Sequence, residues 1–511
     1  MFRIAACIFA LSFSLPVAAA TYTVTSTVDS GPGTLRQAIV DANGHIGDDT
    51  IAFAIPGAGV HTIQPLSNLP LIADPLVIDG YTQPGSQPNT QRPQEGGLNA
   101  VLNIELSGTN AADSVVGLIV GSTDATLRGL VINGFRFQID VGSFTNRSGE
   151  VDIEGCYLGT DPSGTVAGIN QSAGIQGNFH GGGRVTVGGA SAPARNLISG
   201  FIRDGGGVGI TLAATSTGPV IEGNLIGTDV TGTQAIATQT AGILIRSAGA
   251  GDLGLGTRIG GDTVDARNVI SGNGSGISIS CSATTADHTC IDGLQIGANY
   301  IGSDITGTVP LPNIGDGITF NAPYVTMSHM LIGGETPAGE NLIAWNGGHG
   351  IFLNNGNGLG TVEIARNRIF GNAALDLDLP YPGRNANDPG DADESYTNRG
   401  QNYPEIIAVD QTGDQLTITY TVDTAVANAT YPLTVRFYRA LGGGADLWLG
   451  EDAYSVADAQ QQKQVVLTMP ASIAVSGVVA TAADAVGNTS EFSDPFLFGD
   501  PDLIFANGFD P

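Results

Sequence analysis

The sequence predicts an all-β protein: a right-handed parallel β-helix, a three-sheet solenoid of about eight coils, with a short N-terminal helical cap and a small β-sandwich behind it. Three observations predict it. First, a Gly-Ile step recurs at Gly174, Gly209, Gly242, Gly276, Gly317 and Gly350, at spacings of 35, 33, 34, 41 and 33 residues. A self-similar period of that size marks a solenoid. Second, apolar residues alternate in short runs closed by Gly, Asn, Asp or Ser, as in GILIRS, ARNVISGN and LQIGANYIGSDITGT. That is the period-two pattern of strands separated by turns. Third, insertions fall at fixed corners, as a solenoid demands, because a one-residue slip would turn the apolar set outward.

Two kinds of coil alternate. In one, the middle strand ends in Gly-Gly (Gly188-Gly189, Gly260-Gly261, Gly333-Gly334), and a short insertion precedes a strand opening with Asn. In the other, the third strand follows at once and its TGT-type insertion comes afterwards. The two-coil unit repeats at 68 and 75 residues through Gly159, Gly227 and Gly302. Asparagine opens the third strand at 196, 224, 268, 299, 341 and 367, with Cys156 in the equivalent earlier place. Stacked in successive coils, these amides are expected to bond one another as a ladder.

In chain order, residues 1–20 read as a secretory leader: Arg3, an apolar run from Ile4 to Val17, then three alanines, with cleavage expected after Ala20. Residues 21–112 form the N-terminal cap and first irregular coils. TYTVTSTVD is a strand, and Thr34 to Ala42 is a short amphipathic helix that would cover the open end of the solenoid. Regular coils occupy 113–375. An acidic Pro/Gly/Asn-rich stretch, 376–402, reads as a linker and C-terminal cap. Longer strands at sandwich spacing follow over 403–496, an Ig- or fibronectin-III-like domain without the Cys…Trp…Cys signature. Residues 497–511 are a separate tail.

The stretches SGPGTLRQAIVDAN, DTIAFAIPGAGVHTI and PLVIDGYTQPG, with repeated NxIGTDxTGT and IGGxxxxARNxISGN, resemble secreted bacterial right-handed β-helix repeat proteins. These have the pectin-lyase-like fold, and many carry an N-terminal segment of the CSLREA type. The resemblance covers most of residues 22–495. Gly33-Thr34-Leu35-Arg36 stands where that segment has its Cys. The resemblance implies architecture far more than activity, because members mostly lack an assigned reaction. PDLIFANGFDP at the end is similar to short IFxxGF tails of secreted Gram-negative proteins.

Composition narrows the partners. Acidic residues number 48 against 19 basic ones, a net charge of −29, which excludes nucleic acid and anionic membrane as expected partners. No segment past the leader is long and apolar enough to span a bilayer. A monomer, secreted or at the cell surface on the extracellular side of a bacterial envelope, is the expectation. A polysaccharide or a host or envelope surface component is the partner class that fits. Cys281 and Cys290 bracket SATTADHT and are expected to pair in an oxidising compartment; a metal site with His288 is the alternative. Cys156 reads as a buried thiol.

Three sets of residues could carry chemistry. Gly348-His349-Gly350, one coil after Gly315-Asp316-Gly317, is similar to the corner where pectinase-type hydrolases of this fold place theirs. It has one Asp where hydrolysis of a glycosidic bond uses two carboxyls, and no Arg-x-Lys follows. Asp161, Asp229 and Asp304 lie on one edge in the two-coil register and could hold Ca²⁺ through substrate uronates; alternatively, each bonds its own turn. Asp388, Asp391 and Asp393 in NDPGDAD could offer oxygens to Ca²⁺ as a cofactor or form a solvated turn. The leading expectation is a non-catalytic exported protein for adhesion or extended-glycan binding. A polysaccharide lyase or glycoside hydrolase of this fold, and a purely structural envelope component, are the two others.

Overall fold

The computed structural model describes residues 19–498, apart from positions 143, 148, 170, 182, 204–205, 214–217, 237–239, 248–255, 282–288, 322–325, 355–359, 380–382, 393–396 and 471. Of the expected leader, residues 1–18 lie outside the described residues, as does the expected tail from 499; Leu497, where that tail was to begin, still pairs with Gly477. His288 and the side chains of Cys281 and Cys290 also lie outside the described residues.

The chain winds as a parallel β-helix of three sheets. One sheet runs from Thr21–Val24 through Asp49–Phe53, Leu76–Asp79 and Ala125–Arg128 to Thr326–Ile332 and Gly360–Ile364, every pairing parallel. A second runs from Leu118–Ile119 to Leu377–Asp378. A third begins at His61–Ile63 and passes through two-residue strands such as Leu197–Ile198 and Leu225–Ile226. Aligned register over the middle rungs stacks like on like. Ile78, Leu127, Ile153, Val187, Ile221 and Ile259 form one interior column, none of them exposed. Alternation puts their neighbours outside, which is how period two in sequence becomes a filled tube.

The corners carry the polar bonding. Asn196 Nδ2 donates to Asn224 Oδ1 at 2.9 Å, Asn224 to Asn268 at 3.0 Å, Asn268 to Asn299 at 2.9 Å, Asn299 to Asn341 at 3.1 Å and Asn341 to Asn367 at 2.9 Å. Each amide also donates to a main-chain carbonyl, as Asn268 does to Ile221 O at 2.8 Å. Cys156 is buried, and its N–H donates to Asn196 Oδ1 at 2.8 Å, so it heads the column. A second ladder runs at another corner: Asn273 to Asn313 at 3.2 Å, Asn313 to Asn346 at 2.9 Å and Asn346 to Asn372 at 2.9 Å. Asn372 Nδ2 then donates to Asp376 Oδ1 at 2.7 Å. At the turn after each short third-sheet strand, Gly159, Gly227 and Gly302 take φ of +90°, +87° and +92°. A Cβ there would lie 2.1–2.3 Å from a carbonyl oxygen of the next rung, so only glycine fits.

Both ends are closed. The helix Leu35–Asn43, with Thr34 as N-cap accepting from Gln37 N, buries Leu35, Ala38, Ile39 and Ala42 against the first rungs. At the other end the third sheet continues without a break. Asn367–Phe370 pairs antiparallel with Gly444–Tyr454, and Leu433–Leu441 and Gly477–Ala483 follow. A three-stranded sheet, Glu405–Thr412, Gln415–Thr421 and Lys463–Thr468, packs on these strands over Leu416, Ile418, Tyr420, Val435 and Phe437. The sandwich is therefore fused to the solenoid, and Tyr438, Val479 and Phe492 join the solenoid's own core.

The stretch 376–402, read from sequence as a linker and cap, is built into this junction. Leu377–Asp378 adds the last strand of the second sheet. Asn398 receives Val362 N–H at 2.7 Å and donates to Val362 O at 2.9 Å, which satisfies the open edge of the final rung.

Residues 84–103 cross the outside of the third sheet as a strap. Asn89 Nδ2 donates to Ala192 O at 2.7 Å, Leu98 N to Val230 O at 2.8 Å, and Gln94 Nε2 to Asp265 Oδ1 at 3.2 Å. Arg195 is 1% exposed beneath it. Its Nη1 donates to Gln91 O at 2.8 Å and Gly96 O at 3.2 Å, and its Nε to Gly223 O at 3.1 Å. Burial lowers its pKa to about 10.

Asn268→Ala removes a rung's amide and strands the donors of Asn224 and the carbonyl of Ile221. A loss of about 3 kcal/mol in urea unfolding is expected, since each buried group left unpaired costs about 1–3 kcal/mol. Arg195→Ala is expected to free the strap, read as accelerated protease cleavage between residues 91 and 97 while the rest of the chain stays resistant.

Candidate functional site

The aspartates of the GTDxTGT turns do not converge on a shared space. Asp229 accepts from Thr231 Oγ1 at 2.8 Å, Thr233 N at 3.1 Å and Gln234 N at 3.2 Å. Asp161 does the same with Ser163 Oγ at 2.7 Å, Thr165 N at 3.2 Å and Val166 N at 3.1 Å. Asp304 holds Thr306 Oγ1 at 2.6 Å and Val309 N at 3.3 Å. Each carboxylate bonds its own turn. The turns in turn stack on one another: Val230 N donates to Gly164 O, and Ile305 N to Gly232 O, both at 2.9 Å.

Asp391 has a similar role at the junction. It is 4% exposed; its Oδ2 accepts from Gln401 Nε2 at 2.7 Å and Thr424 Oγ1 at 2.9 Å, and its Oδ1 from Asn402 N at 3.0 Å. Asp388 Oδ2 accepts from Ala392 N at 2.9 Å, and Asp393 lies outside the described residues. Among the described residues no three His, Cys, Asp or Glu side chains cluster as a metal site.

Asp316 and His349, one coil apart in sequence, do meet. His349 Nδ1 lies 3.1 Å from Asp316 Oδ1, and the same oxygen accepts the His349 main-chain N–H at 2.8 Å. A third residue completes the group: Asp378 Oδ2 lies 3.0 Å from His349 Nε2. The Asp378 side chain is wholly buried, its carboxyl raised by that burial and pulled back by the Gly383 amide and His349. Phe352 stacks on the imidazole at 4.7 Å. Both imidazole nitrogens are thus engaged, and the ring fills the gap between the two carboxyls. The three side chains, each from a successive rung, clamp the last rungs together.

Beside the clamp, burial pushes Asp376 up to about 6 and Glu491 up to about 7. Glu491 ties the sandwich to the last rung, accepting from Leu379 N at 3.0 Å, Asn385 Nδ2 at 3.0 Å and Asn385 N at 2.9 Å.

A feature that can take a ligand lies at the seam between solenoid and sandwich. A cleft of about 570 Å³ is lined by Gly334, Glu335, Glu363, Arg366, Arg436, Trp448 and Glu451, among others. The solenoid contributes the turn after Thr326–Ile332 and the end of the last rung; the sandwich contributes Leu433–Leu441 and Gly444–Tyr454. Trp448 is half-buried, held edge-on by Tyr438 at 5.3 Å, with the Arg366 guanidinium 5.1 Å from its ring centroid. Arg366 pairs with Glu340 at 2.9 Å and Arg436 with Glu363 at 2.5 Å. Glu335 and Glu451 are exposed at the rim and make no ion pair among the described residues. An aromatic face, fixed guanidinium donors and two rim carboxylates suit a polyhydroxylated ligand. Comparison of the chain with protein-family models and with curated proteins gives no match.

Glu491 and Asp376 keep a proton in the folded chain where the unfolded chain has lost it. Their contribution is full below the ordinary values of 4.5 and 3.8 and is lost as pH rises through about 7 and about 6. Thermal stability is therefore expected to fall from pH 5 to pH 8. Glu491→Gln is expected to flatten that slope by about 2–3 kcal/mol, measured by thermal melts across the range.

Proposed function

We propose that this chain is an exported, non-catalytic binding protein of the pectin-lyase-like β-helix group, acting outside the cell on extended glycans. The observation that carries the reading is the seam cleft, which is lined by Trp448, with the Arg366 guanidinium over its ring, and by the rim acids Glu335 and Glu451. The Ig-like domain contributes Arg436, Trp448 and Glu451 to the lining of this cleft, which supports a share in binding.

Charge selects among glycans. The cleft's guanidiniums are already paired with Glu340 and Glu363, and the rim carries unpaired carboxylates on a chain of net charge −29. A uronate or sulfated chain would meet repulsion without a free cation to offset it, whereas neutral sugars offer vicinal hydroxyls to carboxylates and apolar C–H faces to an indole.

A glycan array followed by calorimetry tests this, with neutral and uronic-acid polysaccharides compared. Neutral oligosaccharides are expected to bind and Trp448→Ala to weaken them at least ~10-fold, the loss of an aromatic anchor. Binding that survives Trp448→Ala rejects the cleft, and release of reducing ends or unsaturated products rejects a non-catalytic role.

A further inference from the structure

The first rung distinguishes two places where a leader could be removed. Small residues stand at alternate positions before either bond: Val17 and Ala19 before Ala20, or Ala18 and Ala20 before Thr21. Small-x-small spacing admits both cuts. The folded chain does not treat them alike. The first strand is Thr21–Val24, yet its bonding starts a residue earlier, with Thr50 N–H donating to Ala20 O at 2.9 Å. Ala20 N–H in turn donates to Asp49 Oδ1 at 2.8 Å. The Asp49 side chain has no exposure, and its other neighbour is the His45 imidazole, whose Nδ1 lies 2.9 and 3.1 Å from the two carboxylate oxygens. A buried carboxylate needs charged or multiple donors. A cut before Thr21 deletes both Ala20 bonds. A cut before Ala20 keeps them and turns the amide aimed at Asp49 into an α-ammonium.

We propose that the leader is removed between Ala19 and Ala20, so that the mature chain begins with Ala20 and its α-ammonium pairs with the buried Asp49 carboxylate. The step is hydrolysis by the leader peptidase of the exporting cell. Water adds across the Ala19–Ala20 amide, the acyl carbon leaves as the Ala19 carboxylate, and the released amine takes up a proton. The other titratable groups around this end are His45, Tyr22 and Asp41. Of these only His45 can carry positive charge, and its side chain is about one-third exposed (34%), so the terminal ammonium is the steadier partner.

The full chain, with residues 1–19 in place, is exported from a Gram-negative host and its first residue read by intact mass and N-terminal sequencing. Ala20 is the expected result. Thr21 at the start, or a chain that keeps any residue before Ala20, overturns the proposal. A second measurement reads the pairing itself. The chain beginning at Ala20 is expected to melt several degrees above one beginning at Thr21, and Asp49→Asn is expected to remove most of that gap. Equal melting temperatures for the two starts, or a gap unchanged by Asp49→Asn, would refute the pairing.

Discussion

Two columns of buried asparagine hold this molecule in register. A solenoid's corners leave main-chain carbonyls and amides pointing out of the sheets, and in an interior sealed from water each of these must find a partner. Asparagine supplies two donors and an acceptor on a side chain short enough to stay in its own rung and reach the next. Asn224, for example, receives Asn196, donates to Asn268 and donates again to Val187 O. Aspartate in mid-column would stack like charges at the strand spacing of about 4.8 Å. It occurs once, as Asp376, where the second column ends and its oxygen need only accept.

The first column was legible in the sequence because its members open a recurrent phrase, NLI, NVI, NYI or NRI, at a fixed place in every unit. The second was not. Asn273, Asn346 and Asn372 each stand five residues after a first-column Asn, but Asn313 stands fourteen after Asn299 behind an insertion, and the words before the four, ISG, PLP, IAW and IFG, differ, so the column is masked. Asp316 and His349 could be paired from their spacing of 33 residues. Asp378 could not, since ALDLDLP looked like the start of a linker; its alternation was the signal of one more strand. The burial of Arg195 was hidden for a different reason. Its acceptors are main-chain carbonyls about a hundred residues earlier, and carbonyls leave no trace in residue type. The antiparallel pairing of Asn367–Phe370 with Gly444–Tyr454 is equally silent, because strand partners far apart in the chain share only a general apolar pattern.

The functional reading rests on what the acids are doing. Most of the carboxylates that invite a catalytic interpretation already hold a structural position: Asp161, Asp229 and Asp304 close turns, Asp391 braces the junction, and Asp316 with Asp378 grips His349. Glu335 and Glu451, by contrast, face solvent at a concave place, the seam. A recognition surface made where two folds are welded gains rigidity from both, since neither wall can move without breaking the third sheet.

The strap has a consequence for how the protein comes apart and together. In an ordinary solenoid each repeat touches only its neighbours, so coils can fray one by one from an end. Residues 84–103 bridge rungs as distant as Asp265, a sequence separation of 171 residues between Gln94 and its partner. The coils beneath are thereby coupled, and peeling any one exposes the same apolar strip of Leu98, Leu197, Leu225 and Val269. During synthesis the strap emerges long before the surface it covers. The early coils therefore wait, incompletely sealed, until the later ones have wound, and this part of the rod matures as a block instead of growing turn by turn.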